Sequence, residues 1–370
     1  MTFSRVNRPS DDVELDYVEM YVQDLAAQTA LWRDRYGFDE VAVGGSPEQG
    51  FRSVVMNQGT MYLVLTEATD THHRAAAYVL AHGDGVADIA LRTADVHATL
   101  ARAVQGGAEI LRAPAEPETD DVVLTATLAG FGDVVHTLVQ RRGTDWGLPQ
   151  GFCELPKTAV TETPSRRKPG LHTIDHFAVC LEIGQLIPTV EYYTAAFGFR
   201  EIFEERIAVG SQAMLSKAVQ SRTGSVTFTM IQPDPAAEPG QINEFLASHG
   251  GAGVQHVAFE TDDVIRSVRT LSDNGVQFLS TPDAYYRRLT ERVSLSRHTV
   301  DSLHELSVLV DEDHGGQLFQ VFTRSTSERR TIFFEVIERC GATTFGSANI
   351  KALYEAVEMD RLSKMVDVRR

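Results

Sequence analysis

The run Thr331-Ile-Phe-Phe-Glu-Val-Ile-Glu-Arg339 sets one carboxylate, Glu335, among apolar β-formers and reads as a core strand. Two further strand-like runs, Ile174 to Val179 and Gly253 to Phe259, each set a histidine, His176 and His256, among apolar residues. Asp311 to Gly316 separates the apolar runs Leu306 to Val310 and Gln317 to Phe322, and its Asp and Gly content predicts a hairpin turn. Ser280 to Glu305 is more polar and predicts an insertion of helix and loop. Near the end of the sequence the period changes. Ile350, Leu353, Tyr354 and Val357 fall at i, i+3, i+4 and i+7, which predicts an amphipathic helix.

The pattern occurs twice. Asp16 to Val22, a helix-like segment and Tyr36-Gly37-Phe38 match Asp175 to Leu181, a helix-like segment and Phe197-Gly198-Phe199. Asp84 to Leu91 followed by Thr93-Ala94-Asp95-Val96 matches Ala252 to Phe259 followed by Thr261-Asp262-Asp263-Val264, and each continues into a helix ending near a glycine. Val135 to Arg141 matches Phe333 to Arg339. The expected fold is therefore α+β, two tandem strand arrays with helices after the first and second matched strands. Pro149, Pro156, Pro164 and Pro169 with little periodicity mark a linker. The expected division is 12–150, linker 151–170, and 171–370.

The chain has 370 residues, 43% of them hydrophobic, enough for two packed cores. A formal net charge of −17 argues against nucleic acid or an anionic membrane surface as partner, since both select clustered Lys and Arg. Cys153, Cys180 and Cys340 are too few and too scattered for a disulfide framework. With no signal-like or membrane-spanning apolar stretch, a reducing cytoplasm is the expected compartment. Whether the chain works as a homodimer stays open.

The chemistry lies in the three polar residues buried on strands. A carboxylate in a core costs several kcal/mol unless a cation or hydrogen bonds hold it. Two imidazoles and one carboxylate from separate strands form the facial triad that binds non-haem Fe(II) and leaves positions open for substrate and O2. A single histidine in an apolar strand is most often a hydrogen-bonded core residue. The duplication supplies a control: the matching positions in the first half are Tyr17, Asp88 and Thr137, so burial alone does not demand His, His and Glu. Only the second half is expected to hold metal. Glu338, on the opposite strand face by parity, is expected to be solvated or salt-bridged. Asp175 is expected to be structural because Asp16 recurs where no metal is expected, and His249, His298, His304 and His314 read as surface residues.

The second half, from about Leu171 to Glu358, resembles the 4-hydroxyphenylpyruvate dioxygenase group of the vicinal-oxygen-chelate fold. The resemblance rests on Ile174-Asp-His176, Gly250-Gly-Ala-Gly-Val-Gln-His256, Gln317-Leu-Phe-Gln-Val-Phe-Thr323 and Phe333-Phe-Glu335. It implies tandem βαβββ half-barrels and His176, His256 and Glu335 as catalytic Fe(II) ligands. Ser216, Gln241, Gln320, Phe322, Phe333 and Asn349 then fall on positions lining the pocket for 4-hydroxyphenylpyruvate, and the last helix becomes a lid. Where the family has Phe-Pro-Ile-Asn, this chain has Phe228-Thr229-Met230-Ile231, and where Gly-Asn-Phe starts the last helix it has Ala348-Asn349-Ile350. With Thr229, Ile231 and Ile350 the pocket loses a proline, an amide and an aromatic wall. Those departures imply a member that takes the same 2-oxo acid and O2 but oxidises the benzylic carbon, with homogentisate formation the alternative. A role in supplying hydroxyphenylglycine for peptide antibiotics would suit such a member.

Overall fold

The computed structural model describes residues 12–115, 122–142, 148, 152–156, 167–346 and 349–352. Nine strands belong to the first half: β1 (Glu14–Tyr21), β2 (Asp39–Gly44), β3 (Phe51–Gln58), β4 (Met61–Ala68), β5 (Gly85–Arg92), β6 (Ile110–Ala115), β7 (Val122–Ala129), β8 (Val135–Arg141) and β9 (Phe152–Glu154). Eight belong to the second: β10 (Leu171–Cys180), β11 (Arg200–Val209), β12 (Gln212–Gln220), β13 (Thr227–Pro233), β14 (Gly253–Thr261), β15 (Leu309–Asp313), β16 (Gly316–Phe322) and β17 (Phe333–Cys340). The sheet orders are β6-β7-β8-β5-β1-β4-β3-β2-β9 and β11-β12-β13-β10-β14-β17-β16-β15. Read in opposite directions they are the same order, with β9 added at one edge, and each consists of two βαβββ units. This is the tandem α+β architecture expected from the repeats. β9 lies inside the stretch read as linker, while residues 157–166 and the closing helix beyond Ala352, including Leu353, Tyr354 and Val357, lie outside the described residues. No helix among the described residues is long and apolar enough to cross a membrane.

Three of the four helices that follow the matched strands start in the same way. Asp24, Asp95 and Asp263 each accept a hydrogen bond from the backbone three residues on, which satisfies an orphan helix donor. The fourth, Leu186–Phe197, has no side-chain cap and ends at Gly198 in the left-handed conformation.

The two halves share core. Trp32, on helix Leu25–Asp34 of the first half, packs edge-on against Phe334 of β17 with ring centroids 4.9 Å apart, and Tyr36 meets the same ring at 5.3 Å. In the other direction Tyr193, on helix Leu186–Phe197 of the second half, places its hydroxyl 2.5 Å from His136 Nε2 of β8. Each sheet is therefore backed in part by a helix of the opposite half, which seats β17 and its Glu335 against a rigid aromatic layer.

Phe334→Ala should cost about 3–5 kcal/mol, the usual loss for truncating a buried aromatic ring. Urea unfolding followed by circular dichroism measures it; a loss below about 1 kcal/mol would mean that the shared aromatic layer does not hold the halves together.

Candidate metal centre

Strand register brings the three polar residues to one concave face. Across β10 and β14 His176 is opposite Ala258, and across β14 and β17 Ala258 is opposite Glu335. His256 lies two positions before Ala258 and so shares its face. All three side chains are buried, and one ligand atom from each lies within 4.8 Å of the others. Nε2 of His176 and Nε2 of His256 are each 3.4 Å from Glu335 Oε2. Two donors bound about 2.1 Å from one ion at roughly right angles would stand about 3 Å apart, so this spacing suits a single shared cation.

Electrostatics hold the carboxylate ionised. Burial works to raise Glu335, but His176 and then His256 bring it down to about 2. Burial works to lower His176, yet Glu335 and then Asp175 raise it to about 9. At His256 burial dominates and the imidazole is lowered, with Glu335 offsetting part of the effect. Without a metal the site therefore retains a proton on His176, and a bound dication would replace it.

The neighbours fix which atoms face inward. His176 Nδ1 lies 2.7 Å from Asp175 Oδ1, which puts the ring proton on Nδ1 and leaves Nε2 free to ligate. Arg339 grips Asp175 with two bonds, Nε to Oδ2 at 2.6 Å and Nη2 to Oδ1 at 2.8 Å, and also donates to the Ala342 and Thr344 carbonyls. Adjacent residues on a regular strand point to opposite faces, so Asp175 should not reach its neighbour's ring. It does so because the β10–β14 register slips between Ile174 and His176, leaving Asp175 as the extra residue of a bulge. The sequence reading of Asp175 as structural therefore missed a positioning role, although the signal was present: Asp16 and Arg141 recur in the first half, at the matching bulge, and form the matching ion pair. Gln320 Nε2 donates to Glu335 Oε1 at 2.7 Å, which leaves Oε2 facing both imidazoles.

The expected pocket residues fall mostly around the triad. Phe333 stacks on His256 at 4.9 Å and Phe322 meets the same imidazole edge-on at 5.9 Å. The Asn349 amide lies 2.9 Å from Gln320 Oε1 and 3.1 Å from the Tyr285 hydroxyl, which ties the start of the closing helix to the insertion. Ser216 and Ile231 are register partners, and both are buried. Thr229 is also buried, and its hydroxyl donates to the Phe177 carbonyl at 3.4 Å. Ile350 packs on the apolar cluster that contains Ile231, Cys180, Ile207 and Met214. Gln241 opens helix Gln241–His249 beside Gly240, Gln212 and Met214, at the edge of that cluster.

Glu338 is salt-bridged, one of its two expected states, while His298 and His249 differ from their reading as surface residues. Glu338 is on the opposite face as expected, but that face is covered by helix Val264–Asp273 and the insertion. It is fully buried, pairs with Arg297 and His298, and accepts from the Val264 backbone. His298 is therefore a partner of a buried carboxylate and not a free surface residue. His249 is buried, stacked on His82 of the first half with centroids 4.4 Å apart. The contacts of both histidines come from distant segments, which local polarity does not reveal.

In the first half the same register places Tyr17, Asp88 and Thr137 where the triad stands. Thr137 donates to Asp88 from its backbone at 2.9 Å and from its hydroxyl. Among the described residues the His176, His256 and Glu335 group stands as the cluster able to hold a metal ion.

Comparison with known proteins places these features. The model of the Glyoxalase/Bleomycin resistance protein/Dioxygenase superfamily matches residues 14–131 and 173–321. A 4-hydroxyphenylpyruvate dioxygenase from Aspergillus fumigatus is 31% identical, covering 94% of this chain and 92% of the relative. One from Dictyostelium discoideum is 29% identical over 93% of this chain and 96% of its own length. Among solved structures, a triple mutant of 4-hydroxymandelate synthase from Streptomyces coelicolor superposes with a TM-score of 0.85 at 44% identity, covering 95% of this chain and 99% of that one.

The two halves should also differ in their response to pH. Burial, and then the charge of Glu19, push Asp88 up to about 7. Between about pH 4 and pH 7 the folded chain keeps a proton there that the unfolded chain has lost, so stability falls as pH rises through that window, by at most about 1.4 kcal/mol per unit. Urea unfolding of the parent and of Asp88→Asn across this range should show the variant gaining on the parent as pH rises. A difference that stays constant with pH would contradict the burial of a titrating Asp88.

Proposed function

The chain belongs to the Glyoxalase/Bleomycin resistance protein/Dioxygenase superfamily and, within it, to the 4-hydroxyphenylpyruvate dioxygenase group, and from that membership we propose that it is an Fe(II)-dependent 4-hydroxymandelate synthase. It would convert 4-hydroxyphenylpyruvate and O2 to 4-hydroxymandelate and CO2. The observation that carries the reading is the convergence of two imidazole Nε2 atoms on one buried Glu335 oxygen. Two neutral nitrogen donors and one carboxylate from three neighbouring strands are the donor set suited to non-haem Fe(II), so His176, His256 and Glu335 would hold it. Bound there, Fe(II) supplies the O2 chemistry through which a 2-oxo acid is oxidatively decarboxylated, with no other reductant needed.

The chain's own part is to bind and to orient. Asp175, held by Arg339, keeps the His176 proton on Nδ1 and its lone pair inward. Gln320 does the corresponding work for Glu335. Phe322 and Phe333 flank His256 and offer an aromatic wall to the substrate ring, while Ser216, Gln241, Gln320 and Asn349 supply polar groups for the phenol and the oxo acid. Ile231 and Ile350 belong to one apolar cluster, which excludes water and, in this reading, turns the benzylic carbon toward the metal in place of the ring. Thr229 stands on the same strand as Ile231, two positions away on the same face. A second reading, homogentisate formation, has its ground in the curated relatives, which are named as 4-hydroxyphenylpyruvate dioxygenases.

Given Fe(II), O2 and 4-hydroxyphenylpyruvate, the purified protein should yield 4-hydroxymandelate as its main product by chromatography. Homogentisate as the main product would establish the second reading. Ile350→Phe, alone or with Thr229→Pro, should move the product ratio away from mandelate, since about 1.4 kcal/mol between competing barriers changes a ratio tenfold. An unchanged ratio would remove Ile350 from control of orientation. Glu335→Gln should remain folded yet bind Fe(II) far more weakly, and full iron occupancy with normal turnover in that variant would take Glu335 out of the site.

A further inference from the structure

The first half contains a cavity of about 1400 Å³ at the place where the second half has its triad. Tyr17, Glu19 and Tyr21 stand at alternate positions of β1 and all line it, so a carboxylate is flanked along one strand face by two phenol rings. Asp88 of β5 is the register partner of Glu19 and lines the same cavity. Glu19 receives a bond from the Thr66 hydroxyl at 2.6 Å on Oε1. Tyr21 is almost fully buried, at 3% exposure, and lines the cavity beside Glu19. A carboxylate between two phenol rings on the wall of one cavity offers a ligand negative charge and π-faces together. Arg74 is exposed and carries its guanidinium 5.3 Å over the Tyr21 ring; it makes no ion pair with Glu19 or Asp88 within the described residues.

We propose that this cavity is a metal-free binding site for an aromatic α-amino acid, with its ammonium group at Glu19 and Asp88 between the Tyr17 and Tyr21 rings and its carboxylate on Arg74. Carboxylate and π-face together suit an ammonium ion, and a guanidinium suits a carboxylate. The distribution of charge selects a zwitterion over a simple anion, because an anionic ligand would face both carboxyl groups, and over a simple amine, which would leave Arg74 without a partner. Burial raises Glu19 as well as Asp88, and a bound ammonium would offset that cost. Such strained carboxyl groups in a cavity are a mark of ligand sites. The proposal does not depend on the reaction assigned to the second half.

Isothermal titration of the full-length protein with L-phenylalanine tests it, with 3-phenylpropionate as the probe lacking the ammonium group. L-phenylalanine should bind one per chain, at least about tenfold more tightly than 3-phenylpropionate. Saturating 4-hydroxyphenylpyruvate, added anaerobically, should not displace it. Glu19→Gln and the surface variant Arg74→Ala should each weaken binding at least about tenfold while leaving the circular dichroism spectrum intact. Should Glu19→Gln fail to fold, Arg74→Ala carries the test alone. Absence of binding, equal binding of 3-phenylpropionate, displacement by 4-hydroxyphenylpyruvate, or a folded Arg74→Ala that binds as well as the parent would each overturn the proposal.

Discussion

An ionised carboxylate in the middle of a protein core is the constraint around which the second half is built. Glu335 is almost fully buried on β17, and removing such a group from water costs several kcal/mol unless positive charge and hydrogen bonds replace the hydration. Two imidazoles and the Gln320 amide do this, and they arrive from β10, β14 and β16. The strand order that sets β14 and β16 beside β17, with β10 next beyond β14, is thus the condition for Glu335 being tolerated at all. A dication between the same groups would complete the compensation, which makes folding of this face and assembly of a metal centre one physical problem.

The duplicated half shows which parts belong to the frame and which to the chemistry. Both halves carry a bulge at the Asp preceding the first triad position, and both close it with an Arg from the matching strand, β8 or β17. A device found in both halves serves the sheet. In the second half the same device also orients His176, so the chain uses a pre-existing ion pair to set an imidazole tautomer. The first half instead closes Asp88 against Thr137, leaving an acidic, aromatic cavity in place of a triad.

Legibility followed the range of the interaction. His176, His256 and Glu335 could be read because each interrupts an apolar run, and because the matched positions Tyr17, Asp88 and Thr137 show that the interruption is not a folding requirement. The helices after the matched strands could be read as well, because the repeats and the glycines near their ends are local signals. The burial of Glu338 and His249 and the pairing of His298 with Glu338 could not, because they depend on a helix, an insertion and the opposite half packing together. Asp175 was read as structural because Asp16 recurs in the first half, and its pairing with Arg339 agrees; its second role, orienting His176, was not visible. Strand parity puts it on the wrong face, and only the register slip at the bulge returns it to His176. The grouping of Ile231 with Ile350 joins residues 119 positions apart and needed the folded chain, although the resemblance had already singled out both.

The most direct test of the central claim is anomalous diffraction at the iron edge from crystals grown anaerobically with Fe(II). One peak per chain is expected, about 2 Å from Nε2 of His176, Nε2 of His256 and a Glu335 oxygen, with none in the first half beside Asp88. A peak bonded to other residues, or none at the triad in iron-replete crystals, would contradict it.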